Sequence, residues 1–195
     1  MLNILNDIKN NINKNYVILL VGGAVYIIGV ILGLILPSTE TSSALFYSYA
    51  ENYYCSVLSI DASPFSTFLT RILNSILVLI LTALLCSNIY TFFLAFIILL
   101  YRGFIIGYVF IVFILSLGFN GIITYLFLVL IQNVIISFAI LLFMVNIYGK
   151  VNCSCNNLIK TLLNYLITSF IICLIVCLIE FILLTCLFRP LNLYF

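Results

Sequence analysis

Between Ile72 and Phe119 the chain runs 48 residues with a single charge, Arg102. A helix of that length measures roughly 70 Å at 1.5 Å per residue, about twice one bilayer crossing. The run must therefore fold back on itself, and polar breaks show where. Ser87-Asn88 is the best turn. It gives spans of about 72–89 and 92–117 and leaves Arg102 near the middle of the second. A turn at Arg102-Gly103 leaves one span near 30 residues and the next near 16, a poorer fit to a bilayer.

The rest of the chain is equally apolar. Hydrophobic residues make up 66% of 195 positions, charged residues 6%, with no His or Trp. Seven basic and five acidic residues cannot keep so much apolar surface in water, so lipid is the expected solvent. In lipid each span must satisfy its own backbone hydrogen bonds, which predicts helices. The net charge of +2 gives no footprint for nucleic acid.

Tyr16–Leu36, ended by Pro37, is the first span. It is too long for a signal peptide and lacks a small-residue cleavage site, so it is expected to stay as a helix. Gly29 and Gly33 form a G-x-x-x-G face suited to close helix contact, within the chain or between copies in a homo-oligomer. The intramolecular contact is preferred. Before it, Leu2, Leu5, Ile8 and Ile12 make an apolar stripe, read equally as a surface helix or a frayed tail. Residues 37–71 form the one sizeable loop. Its Ala44–Ile60 stretch is tyrosine-rich and suits the headgroup layer; partner docking is the rival use. The fourth and fifth spans are placed at about 121–148 and 161–187.

The expected architecture is thus an all-α, polytopic membrane helix bundle of about five transmembrane helices in one domain. Lys9, Lys14, Lys150 and Lys160 fall on one side; Glu40, Glu51 and Asp61 fall on the other. The positive-inside rule then puts the N-terminus in the cytoplasm, the C-terminus outside, and the 37–71 loop outward.

Chemistry-bearing residues are few. The acids Asp7, Glu40, Glu51, Asp61 and Glu180 form no pair at helical spacing, and without His neither an acid–base pair nor a metal site is easily built. No catalytic, cofactor-binding or metal-ligating residue is assigned, and an enzyme is not expected. Cys153 and Cys155 do not close a zinc site alone, while Cys86, Cys173, Cys177 and Cys186 read as small apolar side chains. Polar groups in hydrocarbon are costly and tend to face protein. Arg102, Gln132 and Asn133 are therefore the candidate intramembrane cluster. A clamp holding the third and fourth spans together is preferred over a substrate path. Pairing of Arg102 with Glu180 is disfavoured by a depth difference of roughly 14 Å reckoned from helical rise. Gly103, Gly107, Gly118 and Gly121 are expected to line close contacts and the turn of that same hairpin.

The stretches R-G-x-x-x-G-Y (Arg102–Tyr108), G-F-x-G (Gly118–Gly121) and L-I-Q-N (Leu130–Asn133) resemble the stage II sporulation protein M family. Ile131 stands where some members have Pro, and I-I-G-V-I-L-G (Ile27–Gly33) is similar to the family's N-terminal helix. The resemblance implies a multi-pass scaffold in the bacterial cell membrane without catalytic residues. Its partners would be membrane lipid and two cell-wall hydrolases, stage II sporulation proteins D and P, anchored during forespore engulfment. The alternative is a permease-like subunit of a small-solute transporter.

Overall fold

A computed structural model describes residues 11, 14–35, 64–151, 158–183 and 185. The described residues are helical, without strands: α1 (Tyr16–Ile35), α2 (Pro64–Cys86), a short α3 (Ile89–Phe92), α4 (Ala95–Tyr125), a π-helical turn (Leu126–Leu130), α5 (Ile131–Val151) and α6 (Leu158–Leu183). Five stretches are long and apolar enough to cross a membrane: Tyr16–Ile35, Phe68–Cys86, Tyr90–Leu115, Ile131–Tyr148 and Leu162–Leu183.

The start of the second span differs from the sequence reading. The helix begins at Pro64, so residues 64–71 belong to it and not to the loop. Proline suits a first helical position because its missing N–H has no partner there anyway. Phe68, in the added turns, packs on Phe181 with ring centroids 5.3 Å apart. The proposed interfacial segment 44–60 lies outside the described residues, as does most of 1–15.

The long apolar run turns at Ser87-Asn88, not at Arg102-Gly103. Asn88 is extended (φ −125°, ψ 140°), and its side chain accepts from Tyr90 N at 3.2 Å, starting α3. Thr91 Oγ1 donates back to Leu85 O at 2.7 Å and ties the turn to the end of α2.

Gly118 divides α4 into two limbs. Its φ of 59° and ψ of −133° are open to glycine and closed by sterics to other residues. Residues on either side of it meet at growing separations. The Phe113 and Tyr125 rings lie 6.2 Å apart, Tyr125 donates to Ile106 O at 3.0 Å, and Arg102 reaches Asn133. The chain from Ala95 to Val151 is thus an antiparallel pair. Gly118 serves by conformation and not by packing, because an added Cβ there meets nothing within 4 Å.

The glycine contact also differs from expectation. Gly103 and Gly107 face α1, not the fourth span. A Cβ on Gly103 would strike Tyr26 O, and one on Gly107 would strike Val30 O. Reciprocally, Gly29 closes on Leu100 O and Gly33 on Phe104 O. Residue numbers rise together along both helices, so α1 and the first limb of α4 run parallel. Theirs is the most extensive helix–helix contact in the protein. Two glycine pairs on two helices let the backbones themselves touch, where apolar side chains would gain little over lipid. Gly22 continues the seam between Leu99 and Leu141.

The centre of the bundle is α5, which touches α1, α2, α4 and α6. Of its 18 span residues 61% are buried, against 17% of the α1 window, which is held almost by its glycines alone. Asn11 Nδ2, ahead of α1, donates to Asn146 Oδ1 at 3.2 Å and to Tyr165 OH at 3.4 Å, and Asn15 donates to Val145 O at 3.3 Å. The approach to α1 is therefore tied to one end of α5 and α6.

Replacing Gly29 or Gly103 by Leu should lower the melting temperature in detergent by several degrees or prevent folding. Backbone atoms are the obstacle, and overpacking typically costs about 1–3 kcal/mol. Gly23→Leu is the control, since nothing lies within 4 Å of an added Cβ there. Equal melting curves for Gly23→Leu and Gly29→Leu would remove the seam from the account.

Candidate functional site

Arg102 follows directly from the seam. Successive helical residues are about 100° apart around the axis, so holding Gly103 against α1 turns Arg102 toward α5. Its Nη1 donates to Asn133 Oδ1 at 3.1 Å. Asn133 Nδ2 donates to Val129 O, one turn back, at 2.9 Å. Val129 belongs to the π-helical turn, a widening that recurs at functional sites. The amide is thus fixed on its own helix while its oxygen receives the guanidinium.

Gln132 is 5% exposed and points away from Arg102's partner, toward α6, where its Nε2 donates to Cys177 Sγ at 3.8 Å. The sequence-predicted trio therefore shares a level in the bundle but joins three helices. Arg102 and Asn133 connect α4 to α5, while Gln132 connects α5 to α6. Glu180 sits on α6 one helical turn beyond Cys177, about 4.5 Å in rise. Its helix thus lies nearer the Arg102 level than the roughly 14 Å reckoned from span lengths, because α6 starts earlier and α5 pairs with it in this register. The Glu180 side chain lies outside the described residues.

Sequence reading noticed Asn74-Ser75 only as a break in hydropathy. The structure brings both, on α2, to the same level. With Arg102, Gln132 and Asn133 they line a cavity of about 350 Å³, closed by Val78, Tyr101, Ile105, Val109, Val129 and Ile136. Ser75 is buried; Asn74 is exposed. Tyr26 of α1 and Ser137 of α5 add a second polar pair. Their buried hydroxyl oxygens neighbour each other without hydrogen-bond geometry, and neither has another partner among the described residues. Ser137 stands one turn after Asn133, so spacing from the Gln-Asn pair could have flagged it. Tyr26 carried no such signal.

This polar layer separates two apolar clusters. On one side are Leu79, Leu99, Ile136, Ile140 and Met144; on the other are Ile106, Val109, Phe113, Tyr125 and Val129. Cys86, Cys173 and Cys177 are buried and not in disulfides, in keeping with their reading as small apolar side chains. Among the described residues no group of three His, Cys, Asp or Glu side chains could hold a metal. Gly121 is helical, and its surroundings, like Cys153, Cys155 and Cys186, lie outside the described residues.

No protein-family model, curated protein or solved structure matches the chain.

The Arg102–Asn133 contact is testable by a double-mutant cycle. Arg102→Leu, Asn133→Leu and the double variant, unfolded reversibly in mixed micelles, should show a coupling of about 1–2 kcal/mol for a charge-assisted hydrogen bond. Additive losses would leave the two residues energetically independent.

Proposed function

We propose that the protein is an integral, multi-pass anchor in a bacterial cell membrane that localises cell-wall hydrolases, as its resemblance to the stage II sporulation protein M family implies. One observation carries this reading. Three of the four stretches behind the resemblance converge on one assembly. I-I-G-V-I-L-G supplies Gly29 and Gly33, R-G-x-x-x-G-Y supplies Gly103, Gly107 and Arg102, and L-I-Q-N supplies the Asn133 that receives Arg102. Motifs separated by a hundred residues thus serve one purpose, a bundle braced by backbone contact and a buried clamp. Such a brace suits an anchor that presents its outward segments in a fixed relation.

In this reading the N-terminus is cytoplasmic, and the 37–63 segment and C-terminus face outward to meet the partners. Roles in sporulation and engulfment, with proteins D and P of stage II as partners, come from the family resemblance alone. A permease-like subunit is the second reading, favoured by the polar cavity beside Arg102.

Photo-crosslinkers placed in the outward 37–63 segment and, separately, in the cytoplasmic 149–160 segment of the protein in its native membrane distinguish the two. Capture of peptidoglycan-degrading enzymes is the expected result. Capture of an ATPase from the cytoplasmic side, with no hydrolase, would replace the anchor by the permease.

A further inference from the structure

We propose that the cavity between α2, α4 and α5 is a hydrated binding site for a small, uncharged molecule with both hydrogen-bond donors and acceptors, such as a polyol or a primary amide. Arg102 is at the middle of the 26-residue Tyr90–Leu115 span. Hydrocarbon offers nothing to the groups at that depth, and polar side chains there line cavities or meet one another.

The lining decides the class of ligand. Asn74, Ser75, Gln132 and Asn133 are uncharged, and each can both donate and accept. The single cation is already directed at one of them, through Arg102 Nη1 and Asn133 Oδ1. Four of the five polar lining side chains are thus neutral amides or a hydroxyl, which suits a neutral molecule that can both donate and accept. A volume near 350 Å³ is within the usual range for small-molecule sites.

Tyr101, 60% exposed, and the exposed Asn74 stand at the cavity's edge. A second observation lies one turn away on α5. Ser137 is 4% exposed, and its hydroxyl sits beside that of Tyr26 with no other partner among the described residues. Water reaching this level of the bundle would serve both hydroxyls. An anchor needs no such site, so this inference and the proposed function stand or fall separately.

Thiol labelling in membranes tests it. Native cysteines are replaced, and cysteine is introduced singly at Ser75, at Asn74, or at Leu77, which is 64% exposed on the same helix. Charged, water-soluble methanethiosulfonate ethylammonium should modify Ser75→Cys and Asn74→Cys at least tenfold faster than Leu77→Cys. Glycerol and acetamide should each slow that labelling several-fold, and Gln132→Leu should abolish the protection. If Ser75→Cys does not fold, Asn74→Cys carries the same comparison, because its side chain is exposed and tolerates exchange. Labelling no faster than at Leu77→Cys would show a site closed to water and overturn the proposal. Protection by inorganic phosphate or acetate in place of the neutral probes would overturn its ligand class.

Discussion

Backbone contact between α1 and the first limb of α4 is the constraint from which the rest of the arrangement follows. Between helices in lipid, apolar side chains gain little by leaving acyl chains, so attraction depends on close approach. Gly29 and Gly33 against Leu100 and Phe104, and Gly103 and Gly107 against Tyr26 and Val30, bring main chain onto main chain. Such contacts place Cα hydrogens near carbonyl oxygens, a weak attraction that recurs at helix interfaces. More important here is rotation. Once Gly103 is fixed toward α1, Arg102 has one interior direction, and Asn133 stands in it.

A bundle built this way is layered. The two apolar clusters are sealed by Phe92, Met144 and Ile140 at one end and by Phe113 and Tyr125 at the other. Between them lies a thin polar layer spanning α2, α4, α5 and α6. The Tyr125 hydroxyl, though deep in its apolar cluster, is satisfied by Ile106 O, so it belongs to the packing and not to that layer. Concentrating polarity at one level limits its cost and gives α5, the central helix, a register against each neighbour.

Much of this was legible in the residues. Run length and charge spacing gave the number of crossings, because a bilayer sets the length of a helix almost independently of sequence detail. Asn88 was a readable turn because its short amide caps the next helix. Arg102 and Asn133 stood out against hydrocarbon. The partner of the glycines was not readable. Spacing of four places Gly103 and Gly107 on one face but does not say which helix that face meets, and the neighbour in sequence was the wrong choice. Gly118 was legible as part of the G-F-N-G turn, but an added Cβ there meets nothing within 4 Å, so it does not also serve as a packing glycine. Pro64 began a helix inside what looked like loop, since the polar Ser66, Thr67 and Thr70 masked its apolar turns. Asn74 and Ser75 were visible only as a dip in hydropathy until the fold set them beside Arg102.

The central claim is that the α1 seam aims Arg102. The most direct measurement is a double-mutant cycle between Gly33→Ala on α1 and Arg102→Leu on α4, read by reversible unfolding in mixed micelles. The two residues occupy different faces, and distant, independent sites usually add within about 0.5 kcal/mol. If the seam aims the guanidinium, Arg102→Leu costs clearly less once Gly33→Ala has loosened the seam, with coupling beyond that margin. Strict additivity would contradict the account, because Arg102 would then find Asn133 without help from α1.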